Sequence, residues 1–108
     1  MSNVDEMIAL VTKELKQDGG DFRGFDLNGI SLNGASFIFA TVAEVVMDES
    51  QLLDIDFSQA NMEKSSMKNA KIKNVNFSGS NLEDVNFEGT TIIAVSYTHL
   101  TLPTILRV

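Results

Sequence analysis

Residues 60–84 read ANMEK SSMKN AKIKN VNFSG SNLED when they are divided into groups of five. In each group the first residue is small or β-branched, the second is polar, and the third is large and apolar. The apolar series extends in phase on both sides of this stretch and comprises Phe22, Leu27, Leu32, Phe37, Val42, Met47, Leu52, Phe57, Met62, Met67, Ile72, Phe77, Leu82, Phe87 and Ile92. Only 44% of the chain is hydrophobic, so this unbroken series indicates an internal repeat of five residues.

A period of five residues fits neither an α-helix nor a straight strand. On a helix, residues five apart differ by about 140° in direction, so the series would wind around every face. On a strand, an odd step sends alternate members to opposite faces. A chain that bends once in every five residues can bury them all. The bends would fall where turn residues recur, at Gly24, Gly29, Gly34, Gly79 and Gly89, with Asn or Asp elsewhere. The sequence therefore predicts a solenoid whose coils are stable only when stacked.

The repeat units carry a family resemblance. Four of them, ANMEK at 60–64, AKIKN at 70–74, VNFSG at 75–79 and SNLED at 80–84, resemble the A-(D/N)-L-x-x unit of pentapeptide-repeat proteins. The resemblance covers about residues 20–94. It implies an all-β solenoid, a right-handed quadrilateral β-helix with four pentads in each coil, and it favours a bacterial source. The pattern is weakest over residues 38–53, where Val46 takes the polar position, and the sequence leaves open a bulge or a helical turn there.

A coil of four pentads also predicts which inward side chains stack. Phe37, Phe57 and Phe77 would form one ladder, because each lies one coil beyond the last. Leu32, Leu52, Ile72 and Ile92 would form a second ladder. The predicted structural core of the repeat consists of Phe22, Leu27, Leu32, Phe37, Leu52, Phe57, Met62, Met67, Ile72, Phe77, Leu82, Phe87 and Ile92. Burial of each such side chain contributes about 1.5–3 kcal/mol before the cost of ordering the chain.

Residues 1–19 differ from the repeat and predict an amphipathic helix of about fourteen residues. The apolar residues Val4, Ile8, Val11 and Leu15 recur at helical spacing. Asn3 and Glu6 have the spacing of a capping box, and Gly19-Gly20 is a stop signal. We expect the helix to cap the first coil and to protect its edge.

Residues 95–108 break the pattern, and they contain His99, Tyr97 and Pro103, which are the only His, Tyr and Pro of the chain. The string VSYTHLTLPT within them resembles the translation of a transposase-type sequencing adapter. We therefore expect three segments: a capping helix at 1–19, the repeat at 20–94 and a non-native tail at 95–108. On this interpretation the natural protein continues differently after Ala94, and further coils or another domain could follow.

Candidate catalytic groups are scarce. Residues 1–94 contain no His, Cys, Tyr or Trp, so the repeat serines lack a base that could activate them. We interpret the inward methionines as core residues and Asp54 with Asp56 as solvated side chains. The sequence predicts no catalytic, cofactor-binding or metal-ligating residue, and it predicts that the chain is not an enzyme.

The charge balance bears on partners and location. The net charge is -7, which argues against direct binding to nucleic acid. The lysines at 64, 68, 71 and 73 are the only candidate phosphate-binding cluster, and acidic residues lie on the adjacent coils. No apolar run approaches the roughly 20 residues of a membrane span, and the acidic N-terminus does not read as a signal peptide, so we predict a cytoplasmic protein.

The most direct functional prediction is a non-catalytic protein-interaction or scaffold module with an unidentified protein partner. The resemblance implies an alternative, since pentapeptide-repeat proteins of the quinolone-resistance type bind DNA gyrase as acidic mimics of duplex DNA. A third alternative is an accessory repeat domain of a longer protein. The sequence does not choose among partners or oligomeric states.

Overall fold

The computed structural model describes residues 2–96 of the 108-residue chain, so most of the tail interpreted as adapter-derived lies outside the described residues. The elements are α1 (Val4–Lys13), β1 (Ser31–Asn33), β2 (Gln51–Leu53), β3 (Lys71–Lys73) and β4 (Thr91–Ile93). The strands form one parallel sheet in the order β1-β2-β3-β4. Each strand residue pairs with the residue one coil further along, as Leu32 does with Leu52 and Leu52 with Ile72.

Three further rows of parallel β-bridges repeat this register around the solenoid. The rows are Lys16, Ser36, Asp56, Asn76 and Ser96; Asp21, Thr41, Asn61 and Asn81; and Asp26, Val46, Ser66 and Asn86. Together with the sheet, the rows give each coil four sides, and they confirm the predicted right-handed quadrilateral β-helix. The molecule measures 35 × 23 × 23 Å along its principal axes.

We number the sides in chain order, one pentad to a side. Side 1 contains residues 15–19, 35–39, 55–59 and 75–79, and side 2 contains residues 20–24, 40–44, 60–64 and 80–84. Side 3 contains residues 25–29, 45–49, 65–69 and 85–89. The fourth side, which we call the β-face, contains residues 30–34, 50–54, 70–74 and 90–94. The coils remain regular through residues 38–53, where the sequence left a bulge or a helical turn open.

The interior is filled by the two inward positions of each pentad. Of the predicted core positions, Phe22, Leu27, Leu32, Phe37, Leu52, Phe57, Met62, Met67, Ile72, Phe77 and Leu82 are buried, and Phe87 and Ile92 are partly buried. The rings of Phe37 and Phe57 stack at 5.3 Å between centroids, and those of Phe57 and Phe77 at 5.8 Å. This ladder forms because the coils place identical positions above one another.

Each corner of the solenoid has one residue with positive φ. These residues are Gly19, Gly24, Gly29, Gly34, Phe39, Glu44, Glu49, Asp54, Gln59, Lys64, Asn69, Asn74, Gly79, Asp84, Gly89 and Ala94. The expectation of Gly, Asn or Asp at the bends therefore holds at only part of the corners. Phe39, with φ of 60°, is the bulkiest exception, and its side chain is 69% exposed. The cooperative stacking of neighbouring coils holds such residues in a conformation that disfavours a Cβ.

The N-terminal helix differs in detail from its sequence-based prediction. It has 10 residues and ends at Lys13, so Leu15 lies beyond it and is exposed. Its buried residues are Met7 and Val11, whereas Ile8 is 41% exposed. The repeat also starts earlier than residue 20, since Lys16 already pairs with Ser36.

Hydrogen bonds at the two ends of α1 explain its length and the face that it buries. Asn3 does not cap the helix with its side chain. Its main-chain N–H instead donates to the Asp26 carbonyl at 2.7 Å, and its Oδ1 accepts from the Asp26 N–H at 2.8 Å. At the other end, Gln17 Nε2 donates to the carbonyls of Leu10 and Glu14 and so satisfies the Glu14 carbonyl, which a longer helix would have bonded. These contacts fix the direction of α1 across the first coil, and with it the face that is buried.

Candidate interaction surface

The polar position of each pentad serves the protein's own main chain. In seven pentads the Oδ1 atom of an Asp or Asn accepts a hydrogen bond from the N–H two residues later. These residues are Asp21, Asp26, Asp56, Asn61, Asn76, Asn81 and Asn86, with distances of 2.8–3.1 Å. The bond forms a small local turn that Asp and Asn favour. It explains why Asp and Asn recur in this position.

In two of the pentads whose polar residue is serine, an aspartate from the preceding coil accepts the hydrogen bonds. Asp48 Oδ1 accepts from Ser66 Oγ at 2.5 Å and from the Lys68 main-chain N–H at 3.0 Å. Asp18 Oδ1 accepts from Ser36 Oγ at 2.6 Å and from the main-chain N–H of Ile38 at 3.0 Å. Sequence reasoning missed both aspartates, although a serine in the polar position with an aspartate eighteen residues earlier was a visible signal.

Acidic residues are concentrated on two adjacent sides. Sides 2 and 3 carry nine carboxylates: Asp21, Glu44, Glu63, Glu83 and Asp84 on side 2, and Asp26, Asp48, Glu49 and Glu88 on side 3. The same sides carry three basic residues, namely Arg23, Lys64 and Lys68. All of these side chains are exposed or half-buried. The two sides therefore present a net negative surface to solvent.

The β-face has a different composition. Its outward residues form two columns across the four strands, Ser31, Gln51, Lys71 and Thr91 in one, and Asn33, Leu53, Lys73 and Ile93 in the other. No carboxylate occurs among residues 31–33, 51–53, 71–73 and 91–93. With two lysines and one carboxylate, Asp54 at a corner, this face is net positive and partly apolar in a chain of net charge -7.

The repeat itself matches a known family. Residues 50–89 match the family profile described as pentapeptide repeats, in 8 copies. Residues 50–89 are therefore pentapeptide repeats.

Solved structures of pentapeptide-repeat proteins are similar to this chain. A pentapeptide repeat protein from Nostoc Pcc 7120 superposes with a TM-score of 0.88 at 16% identity, covering 99% of this chain and 90% of that chain. At this identity the likeness shows the fold alone. No curated protein matches the sequence significantly.

Two further structures match less well. A pentapeptide repeat protein from the Arabidopsis thaliana thylakoid lumen has 26% identity and a TM-score of 0.46, covering 73% of this chain and 63% of that chain. QnrB1, a plasmid-mediated fluoroquinolone resistance protein, has 16% identity and a TM-score of 0.42, covering 81% of this chain and 60% of that chain. Both TM-scores are too low to support a functional argument.

The pentapeptide-repeat geometry separates the four lysines that the sequence analysis grouped. Lys71 and Lys73 lie on the β-face, Lys64 at the corner that ends side 2, and Lys68 on side 3. They belong to consecutive pentads of one coil, and each new pentad turns the chain toward a new side. The cluster expected from sequence is therefore not a single patch.

The pentapeptide-repeat fold places Asp54 and Asp56, which the sequence analysis interpreted as solvated, on different sides. Asp54 Oδ1 accepts from Asn74 Nδ2 at 3.0 Å on the β-face, whereas Asp56 Oδ1 accepts from the Ser58 N–H on side 1. Among residues 2–96, no group of three or more His, Cys, Asp or Glu residues could hold a metal ion. Within the same residues, no helix has the length and apolarity needed to cross a membrane.

Proposed function

We propose that this repeat protein is a non-catalytic module that binds another protein. The observation that supports this proposal is that its recurrent polar side chains are hydrogen-bonded to its own main chain. The Asp48 carboxylate, for example, holds the N–H of Lys68, and Asn61 holds the N–H of Glu63. A group fixed in this way is poorly placed to exchange protons with a substrate, which acid–base catalysis requires.

Binding fits the remaining features of the surface. The sides are built from short extended segments in a fixed twenty-residue register, so the outward side chains are held in a regular array. A preorganised surface loses little conformational entropy when a partner docks. The contrast between the β-face and the acidic sides 2 and 3 provides the electrostatic pattern that orients a partner and gives specificity.

The test begins with the immobilised full chain and an extract of its source cells. Retained proteins would be identified, purified and titrated against the chain by calorimetry. We expect one purified protein to bind saturably, with an affinity that falls as salt is added, because the surface is charged. Failure of every purified candidate to bind saturably would reject the proposal.

A second candidate function rests on the acidic surface of sides 2 and 3. Nine carboxylates on two adjacent sides of a rod 23 Å wide could imitate duplex DNA toward a DNA-binding enzyme such as gyrase. Lys64 and Lys68 interrupt this surface, which is why we place the candidate second.

Gyrase supercoiling assays distinguish the second candidate from the first. If the chain is a mimic, it inhibits supercoiling, and the variant Glu63→Gln with Glu83→Gln inhibits less. The matched control is Asp5→Asn with Glu14→Gln, which removes the same charge from α1 and from the residue that follows it. No inhibition at a large excess of chain over gyrase would reject DNA mimicry.

A further inference from the structure

Lys71 and Lys73 lie side by side on the β-face, where the single carboxylate, Asp54, lies at the corner after β2 and accepts a hydrogen bond from Asn74. Both are exposed, and both point outward because they flank the inward Ile72 on strand β3. In the register of the sheet, Lys71 lies between Gln51 and Thr91. Residues in register on neighbouring strands are the strongest electrostatic partners that a sheet provides. Neither of these neighbours carries a charge that could neutralise Lys71.

Aliphatic side chains flank the second lysine. Lys73 lies between Leu53 and Ile93 in the outward column. The Ile93 side chain is 52% exposed, and Leu53 is half-buried. Gln51, Leu53, Lys71, Lys73, Thr91 and Ile93 line a shallow depression on this face. Leu53 and Ile93 thus place apolar surface on both sides of the Lys73 cation.

We propose that the β-face binds an acidic amphipathic helix of a partner protein; this inference rests on the proposed function as a protein-binding module. The glutamates or aspartates of the helix pair with Lys71 and Lys73, and its apolar side chains pack on Leu53 and Ile93. Charge complementarity selects this partner, because the β-face is the basic side of a chain with net charge -7.

The spacing of the outward column fits a helix that crosses the strands. Leu53, Lys73 and Ile93 occupy adjacent strands, which lie about 4.8 Å apart. Side chains three or four residues apart on one face of a helix are about 5–6 Å apart. A partner helix that carries an apolar, an acidic and an apolar residue at successive turns of one face can therefore contact Leu53, Lys73 and Ile93 in that order. Lys71 is then within reach of an acidic residue on the adjacent ridge.

Nucleic acid fits this face less well. Backbone phosphates are bound by extended rows of cations, and single strands by exposed aromatic rings. The outward columns contain two lysines, and residues 31–33, 51–53, 71–73 and 91–93 include no aromatic residue. Sides 2 and 3 would also repel a polyanion.

The test uses a fluorescein-labelled synthetic helix with Glu and Leu on one face and Gln and Ala on the other. Its binding to the full chain is measured by fluorescence anisotropy. We expect saturable binding that weakens with added salt. We also expect Lys71→Glu with Lys73→Glu to weaken it at least tenfold, and Leu53→Gln to weaken it several-fold. The control variant Lys64→Glu with Lys68→Glu makes the same change of net charge on other sides and should leave the affinity within twofold.

Several results would overturn the inference. They are an absence of saturable binding up to about 1 mM chain, an equal loss in the two double variants, and full competition by duplex DNA. Thermal melts of each variant exclude loss of folding as the cause. If the native partner binds the Lys71→Glu, Lys73→Glu chain as tightly as the wild type, the β-face assignment fails and the proposed function stands. If no purified protein binds the wild-type chain, the proposed function as a protein-binding module fails as well.

Discussion

The side chain of Asp48 accepts a hydrogen bond from the hydroxyl of Ser66, which lies eighteen residues later on the next coil. The same carboxylate oxygen accepts from the main-chain N–H of Lys68. In other pentads an Asp or Asn within the repeat makes this second bond itself, as Asn61 does with Glu63. Asp48 therefore replaces a local hydrogen bond by one that ties two coils together.

Removing this carboxylate should destabilise the solenoid. We expect Asp48→Ala to lower the free energy of unfolding by about 1–2 kcal/mol, because the Ser66 hydroxyl and the Lys68 N–H lose their acceptor. Adding Ser66→Asn should restore most of the loss, since the new Asn can accept from Lys68 locally. Urea unfolding followed by circular dichroism measures both effects.

Glu49→Ala is the control for this pair, because it removes a neighbouring exposed carboxylate for which no side-chain hydrogen bond is seen. A loss as large as that of Asp48→Ala would mean that charge, and not the hydrogen bonds, stabilises the coil. Failure of Ser66→Asn to rescue would show that the contact between coils matters beyond the satisfaction of one N–H.

Phe39 is expected to be a destabilising residue at its corner. Its φ is 60°, whereas the equivalent corners of side 1 in the first and fourth coils are glycines, Gly19 and Gly79. Phe39→Gly should raise the free energy of unfolding by about 1 kcal/mol, because glycine adopts positive φ without a clash at Cβ. A shift of the urea midpoint to higher concentration checks this. A lower midpoint would show that the ring packs on the surface strongly enough to outweigh the strain.

The aromatic ladder gives a graded prediction. Phe57 stacks on Phe37 and on Phe77 and is 1% exposed, so Phe57→Ala should cost about 3–5 kcal/mol. Phe87 is partly buried, and Phe87→Ala should cost clearly less. Thermal or urea unfolding of the two variants measures the difference. Equal costs would contradict the assignment of Phe57 to the centre of the core.

The capping helix provides a test of which face is buried. Met7 is 1% exposed and Ile8 is 41% exposed. Met7→Ala should cost about 2–5 kcal/mol, while Ile8→Ala should change the free energy of unfolding by less than about 0.5 kcal/mol. Amide hydrogen exchange in α1 should become faster in Met7→Ala than in Ile8→Ala. A larger effect at Ile8 would support the apolar stripe that the sequence suggested.

The repeat and its inward residues could be predicted from the sequence because they depend on local rules. A residue's place within its pentad determines whether it points inward, and the step of five is readable in the chain from Phe22 to Ile92. The stacking of Phe57 on Phe77 then follows from a coil of four pentads. Both predictions need only the residues within one pentad and the repetition of the same turn along the chain.

The tertiary structure decided what depends on contacts between distant residues. The buried face of α1 contains Met7 and not Ile8, because hydrogen bonds between Asn3 and Asp26 set the direction of the helix. The separation of Lys68 from Lys71 and Lys73 depends on the corner between their pentads, which turns neighbours in sequence toward different sides. The sequence by itself determined the repeat and its core, since periodicity is a local property of the chain. Only the stacked coils decided which charges share a surface, because outward side chains are constrained by their neighbours on adjacent coils and not by their neighbours in sequence.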